Sequence, residues 1–183
     1  MSELLRKVWH ASSGVVLALA IYCISPNFFQ SFAICAIYGL ILVHTLKKKG
    51  YKIPVIDDYI GSFGRGKELG DNSLYFILGA FISSLFFSKI IAAVSVLILG
   101  FSDAVATLVG KKFGKHELYK SKTLEGSLAF FISTFLIVSY FFGLIPGLIA
   151  GVVLALIELF GGSYDNLLIP VAGSLIIQLS LML

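Results

Sequence analysis

Phe101-Ser102-Asp103-Ala104-Val105-Ala106-Thr107-Leu108-Val109-Gly110 runs into Lys111-Lys112-Phe113-Gly114-Lys115, and a short link leads on to Lys122-Thr123-Leu124-Glu125-Gly126-Ser127. The first segment reads as the end of an apolar helix that carries a carboxylate two turns inside it. The second reads as a basic hairpin, and the third as the start of the next apolar helix. Ionisable groups inside a membrane span are expensive to keep and mark function by default; the plainer reading of Asp103 is a buried acid paired to a lysine for packing. Asp103, Ala106, Thr107 and Gly110 fall on one helical stripe, so the acid shares its face with a hydroxyl and two small residues. Acid and base therefore meet at a membrane edge.

Composition away from this stretch fixes the solvent. Of 183 residues, 58% are hydrophobic and 13% charged, and the mean hydropathy is +0.97. These values exclude an ordinary soluble domain, and 18 glycines suit packed transmembrane helices. A chain this short holds one transmembrane domain, 1–183, an all-α polytopic bundle. Apolar runs at about 9–25, 28–46, 73–88, 90–110, 125–142, 144–160 and 167–183 predict about seven spans. The run from Leu74 to Gly100 is long for one helix and short for two, and is broken only at Ser88-Lys89, so a count of five or six stays open there. With the N-terminus cytoplasmic, every Lys and Arg except Lys89 falls on the side of Arg6, Lys7 and Lys47-Lys48-Lys49, which is the positive-inside pattern. Arg6 and Lys7 precede an apolar run with no small-residue cleavage site after it, so that run is read as the first span.

The same topology puts the acids on the cytoplasmic side. Asp57, Asp58, Glu68, Asp71, Glu117, Glu125 and Asp165 fall in loops or at helix junctions there, with Asp103 and Glu158 near the cytoplasmic ends of spans. The opposite side has small turns at Ser25-Pro26-Asn27, Ser88-Lys89 and Gly143. A carrier would place polar groups through its whole depth. One-sided polarity instead suggests a water-soluble substrate meeting a membrane-bound one. Gly143, Gly147, Gly151 and Ala155 form a small-residue stripe suited to close helix packing; internal packing is preferred, and a homodimer face is the other use.

Lys111, Lys112, Lys115, Lys120 and Lys122 flank a helix start whose free N–H groups favour anions, and lysines supply point charges to phosphate. Asp103, Glu125 and Asp165 would repel a polyphosphate unless a divalent cation lay between them, and Mg2+ prefers carboxylates together with phosphate oxygens. Acids plus lysines therefore imply a metal-bound nucleotide, or at least a metal-bound phosphate. Thr123 also fits a plain N-cap, with Glu125 complementing the helix dipole. Asp165 or Asn166 could likewise cap a helix with Pro170 in its first turn, whereas Glu158 lies in apolar surroundings and is harder to explain structurally.

Other chemistries fail on spacing. Gly61-Ser62-Phe63-Gly64-Arg65-Gly66-Lys67 has the glycines and lysine of a P-loop, but Glu68 stands where the metal-binding hydroxyl belongs. His10, His44 and His116 lack zinc spacing, and no Gly-x-Ser-x-Gly elbow occurs. Cys23 and Cys35 sit in apolar runs, which favours small hydrophobes over a disulfide. Nothing supports nucleic-acid binding.

Ser102-Asp103-Ala104-Val105-Ala106 with Gly110 and Gly114-Lys115, the Lys122-Thr123-Leu124-Glu125-Gly126-Ser127 block, and Glu158 with Asp165-Asn166 and Pro170 resemble the membrane family of dolichol kinases, phytol kinases and CTP-dependent diacylglycerol kinases. Arg6-Lys7 with His10 and Gly14, and Arg65 with Glu68, Gly70 and Tyr75, are similar to it as well. The resemblance covers most of the chain and implies transfer of the γ-phosphoryl group of CTP to a membrane lipid alcohol, with Mg2+ or another divalent ion. The enzyme would sit in a prokaryotic plasma membrane or the endoplasmic reticulum. Dolichol kinases are generally longer, which leaves shorter prenols, polyprenols and diacylglycerol open as acceptors. On this reading Asp103, Glu125 and Asp165 hold metal or, in one case, take the acceptor proton, with Asp103 favoured as base. Lys122 and Lys111 neutralise phosphates, and Gly110, Gly114, Lys115, Thr123, Gly126 and Ser127 complete the nucleotide site. Arg6, His10, Arg65, Glu68, Thr107, Glu158 and Asn166 are secondary candidates. Two alternatives remain. A CDP-lipid-forming cytidylyltransferase would release pyrophosphate, and a small transporter would not consume nucleotide.

Overall fold

The computed structural model describes residues 3–54, 69–120 and 122–183, so Arg65 and Glu68 lie outside the described residues. Seven α-helices occur among the described residues: α1 (Glu3–Cys23), α2 (Pro26–Lys48), α3 (Leu69–Phe86), α4 (Lys89–Phe113), α5 (Leu124–Phe142), α6 (Leu144–Gly161) and α7 (Asp165–Ser180). The break between α3 and α4 falls at Phe87-Ser88, so the ambiguous apolar run is two helices. Five helical stretches are long and apolar enough to cross a membrane, α6 and α7 counting together, and Asn72–Phe86 is a shorter apolar helix. In lipid every backbone polar group must be satisfied internally, which is why these runs close into helices. The protein is an integral membrane helical bundle.

α4 is the axis of the bundle. Its candidate span is 67% buried, against 11–33% for the other long spans, and Ile91 to Val96 are buried consecutively. A helix that is apolar all round belongs in the middle of a bundle. α1, α3, α5 and α7 pack on it, while α2 packs on α3 and α6 on α5 and α7.

The approach of α1 to α4 positions the site. A Cβ on Gly14 would lie 2.6 Å from the Gly100 Cα, and one on Gly100 would lie 2.7 Å from the Gly14 Cα, so the helices cross backbone to backbone. The two run antiparallel. From that crossing, His10 and Lys7 lie four and seven residues back along α1, and Asp103 lies three residues on along α4; these spacings keep each on its helix's contact face. The glycine crossing thus delivers two basic side chains to the acid.

Gly147 and Gly151 face α5. A Cβ on Gly147 would collide with the Ser139 Oγ, and one on Gly151 would lie 3.0 Å from the Phe131 ring. The small-residue stripe is therefore used in packing within the chain. Two boundaries differ from expectation. α4 continues through Gly110 to Phe113 and closes with the Gly114 N–H on the Gly110 carbonyl at 2.9 Å. The hairpin lies later in the chain and is formed by β1 (Glu117–Tyr119) and β2 (Lys122–Thr123), antiparallel. α7 begins at Asp165 after a 3-10 turn over Gly162–Tyr164, which puts Pro170 inside the helix rather than in its first turn.

Candidate active site

One end of the bundle encloses a cavity of about 730 Å3, within the size range of small-molecule sites. α1, α3, α4, the hairpin, the start of α5, the end of α6 and the start of α7 all contribute to its lining. The predicted stripe of Asp103, Ala106, Thr107 and Gly110 lines it in full. Charged side chains form two groups there.

On the α1–α4 side, Lys7 Nζ donates to Asp103 Oδ2 at 2.6 Å, with the two side chains 16% and 18% exposed. His10 Nε2 lies 3.7 Å from the same oxygen, too far for a hydrogen bond. That nitrogen is buried without a partner among the described residues, and the imidazole packs against Phe76 with ring centroids 5.4 Å apart.

The α6–α7 side is built around Lys122. Its ammonium lies 2.8 Å from Glu158 Oε1 and 3.0 Å from Asp165 Oδ2, and also donates to the Glu158 carbonyl. Burial alone would lower the Lys122 pKa, but the charges of Glu158 and Asp165 and hydrogen bonds to both carry it above the ordinary lysine value. Glu158 is only 8% exposed at its side chain. Its Oε2 and the Asp165 Oδ1 have no hydrogen-bond partner among the described residues. Asp165 is thus engaged with a lysine and caps no helix end. Asn166 does not cap either; its Nδ2 donates to the Asn72 carbonyl at 3.1 Å.

Between the two groups stands the N-terminus of α5. Thr123 is its N-cap, the side chain accepting from the Gly126 N–H at 3.2 Å. Gly110, Gly114 and Gly126 make room for that threonine: a Cβ on any of them would lie 2.8–3.2 Å from Thr123 Oγ1. Thr123, Gly126 and Ser127 line the cavity, so the positive end of the α5 dipole faces it.

The structure therefore brings together Arg6, His10, Asp103, Thr107, Gly110, Lys111, Lys122, Thr123, Gly126, Ser127, Glu158, Asp165 and Asn166. Gly114, Lys115 and Glu125 are not among the lining residues. Glu125 turns toward the hairpin, where His116 Nδ1 lies 2.9 Å from its Oε1. The expected convergence of Asp103, Glu125 and Asp165 thus has two members in the cavity and the third outside it. Among the described residues no group of three or more His, Cys, Asp and Glu could by itself hold a metal ion. Lys7 was missed as a site residue, as was Tyr119. The available signal for Lys7 was its helical register with Gly14.

Among known proteins, a phytol kinase of Synechocystis sp. is 27% identical over 96% of this chain and 78% of its own. The CTP-dependent diacylglycerol kinase 1 of Saccharomyces cerevisiae is 30% identical over 94% of this chain and 71% of its own. The chain belongs to this family of membrane lipid kinases. A third relative of this lipid kinase, the dolichol kinase of Schizosaccharomyces pombe, is 28% identical over 90% of the present chain but only 37% of its own. No family model and no solved structure matches the kinase. Its reaction class is phosphotransfer to a lipid, and a cavity with acids, lysines and a helix N-terminus at one end of a membrane bundle is suited to that work.

Proposed function

We propose that this lipid kinase transfers the γ-phosphoryl group of CTP to the hydroxyl of a membrane lipid alcohol, a prenol, polyprenol or diacylglycerol, at the cytoplasmic face. The observation that carries the reading is the pairing of a carboxylate, Asp103, with a lysine-bordered helix N-terminus in one cavity. Phosphoryl transfer asks little covalent chemistry of a protein and depends on positioning and charge neutralisation. The lipid oxygen attacks the γ-phosphorus, the bond to the β-phosphate oxygen breaks, and CDP and a lipid phosphate result. Asp103 accepts the hydroxyl proton, and Lys7 orients its carboxylate through Oδ2. Lys111, Lys122 and the N–H groups of the α5 start receive phosphate oxygens.

Mg2+ is held by one or two carboxylates plus substrate phosphates in sites of this kind. The donor set fits that need: Glu158 and Asp165 line the cavity, and each has one buried carboxylate oxygen, Oε2 and Oδ1, without a hydrogen-bond partner among the described residues. Asp165 and Glu158 would hold the ion together with phosphate oxygens, leaving Asp103 to take the proton. When bound, it neutralises charge on the transferring phosphates.

The test offers purified protein CTP, ATP, GTP and UTP, each γ-labelled, with a panel of prenols, polyprenols and diacylglycerol. Label on lipid, with CTP preferred, is expected. Label released as pyrophosphate would make the protein a cytidylyltransferase and overturn the proposal.

A further inference from the structure

α1 and α3 both pack on α4 but hardly on each other. Where both line the cavity, the space between them is bridged by the His10 ring on Phe76, with centroids 5.4 Å apart. Apart from its basic members, the lining that these two helices supply is Trp9, Ser13, Asn72, Ser73 and Phe76. None of these is ionised, so they give a phosphate no charge to meet and suit a neutral headgroup. Trp9 lines the cavity and is still 51% exposed, which makes it part of the mouth. Val8, Val15 and Val16 of the same helix are exposed as well. Exposed apolar surface beside an opening marks contact with a membrane, and tryptophan is enriched where bilayer meets water.

Just inside this mouth, His10 Nε2 is buried and has no hydrogen-bond partner among the described residues. A buried polar atom left so is costly and asks for an explanation. It lies 3.7 Å from Asp103 Oδ2. The two atoms are too far apart to bond each other, yet a single oxygen can sit about 2.8 Å from both. Asp103 Oδ2 already accepts from Lys7, and a carboxylate oxygen has a lone pair for a second donor. An alcohol matches both needs. Its O–H donates to the carboxylate, one oxygen lone pair accepts from the imidazole as its Nε2–H tautomer, and the other lone pair stays free.

Resting on the reading above, we propose that the acceptor lipid enters sideways between α1 and α3 and that His10 holds its hydroxyl against Asp103. Asp103 takes the hydroxyl proton as the oxygen bonds to the γ-phosphorus and the bond to the β-phosphate oxygen breaks, and His10 keeps its own proton throughout. Phe76 backs the imidazole, and Trp9 borders the path of the lipid chain. This use explains why an imidazole nitrogen is buried unpaired beside an acid that already has Lys7. It also separates the two substrates, the lipid arriving between α1 and α3 and the phosphates meeting the charged lining at the start of α5.

The experiment uses the full chain in lipid nanodiscs, with geranylgeraniol and dioleoylglycerol as acceptors and γ-labelled CTP as donor. Trp9 is the one tryptophan of the sequence, so its emission reports the mouth directly. Without nucleotide, the acceptor that takes label should shift that emission saturably, and no shift would overturn entry at this place. His10→Phe keeps a ring on Phe76 and removes the nitrogen. Its kcat/KM for the acceptor should fall about tenfold, the size of one lost hydrogen bond. The KM for CTP and the melting stabilisation by Mg-CTP should stay within about twofold, as expected if no nucleotide contact is lost. His10→Gln returns an N–H donor and should recover the acceptor kcat/KM to within about threefold of wild type. A role in packing alone predicts the opposite order, with His10→Phe active and His10→Gln impaired. That order would overturn the His10 assignment, as would a loss in His10→Phe confined to the KM for CTP. If His10→Phe unfolds, His10→Gln against His10→Leu decides by the same ratio. A wild-type protein that moves no label to lipid counts against the proposed function. An active wild type with unimpaired His10 variants counts against the acceptor subsite alone.

Discussion

On the α1–α4 side of the cavity one carboxylate, Asp103, faces two basic side chains, Lys7 at 2.6 Å and His10 at 3.7 Å. On the α6–α7 side one ammonium, Lys122, is shared by two carboxylates, Glu158 at 2.8 Å and Asp165 at 3.0 Å. The two sides have opposite ratios of acid to base. Each also leaves polar atoms without partners among the described residues, His10 Nε2 on one, Glu158 Oε2 and Asp165 Oδ1 on the other. Buried ion pairs that serve stability need their remaining lone pairs and protons satisfied, and these do not have that. The acid-rich side suits a cation and the base-rich side an anion. On the proposed reading a metal-bound polyphosphate would meet both sides at once, lysines exchanging carboxylate for phosphate and carboxylates exchanging lysine for the metal.

The sharpest way to break this comparison is Asp103→Asn, which keeps the shape and removes the negative charge. Turnover should fall by about 10^2–10^4, the usual contribution of a positioned proton acceptor, a loss far larger than the roughly 1–2 kcal/mol of stability expected from leaving the Lys7 ammonium without its carboxylate. Near-normal label transfer would remove Asp103 from the chemistry. Lys122→Met probes the other side through stability, because it strands two carboxylates together. The expected loss is on the order of 2–3 kcal/mol, below the figure for fully buried pairs since the lysine side chain is 26% exposed. Adding Glu158→Gln should restore part of it. The raised Lys122 pKa sets the pH range: its stabilisation is fully present below the unfolded value of 10.5 and is lost only as pH rises through the higher folded value. Lys7→Met should cost less, about 1–2 kcal/mol, because only one carboxylate loses its partner. Chemical and thermal unfolding of the two variants side by side checks that order. A Lys7 variant less stable than the Lys122 variant would invert the comparison.

Much of the bundle was legible because its helix ends carry their own marks. Ser25-Pro26 opens α2, Ser88 precedes α4, and Gly143 separates α5 from α6. The stripe from Asp103 to Gly110 was legible for the same reason, since helical spacing alone puts those residues on one face. Lys7 was hidden in plain view. A lysine in the first turns of an apolar span already has an explanation as a topology signal, and its contact with Asp103 spans 96 residues of sequence. That contact depends on Gly14 meeting Gly100, which no local pattern announces. The hairpin was placed too early, at Gly110 to Lys115, because strands of three and two residues are too short to show alternation.

Glu125 makes the smallest prediction and the most specific lesson. Its motif neighbours Thr123, Gly126 and Ser127 line the cavity, and adjacency in sequence suggested that the acid between them would as well. Successive residues of a helix turn by about 100°, so a position two after Thr123 projects to the far side while positions three and four after it return. The far side here is the hairpin, where Glu125 Oε1 meets His116 Nδ1 at 2.9 Å and Oε2 accepts from the His116 backbone N–H at 3.4 Å. Glu125→Gln keeps a hydrogen-bond acceptor at that place and should leave turnover within about threefold of wild type, in line with ordinary substitutions at partly exposed positions. Any loss should appear in nucleotide KM, through a looser hairpin, with kcat unchanged. A fall of about a hundredfold in kcat, the scale of a lost catalytic group, would instead put this carboxylate on the metal. Such a result would mean that Glu125 leaves His116 and turns into the cavity on binding, away from where it lies here.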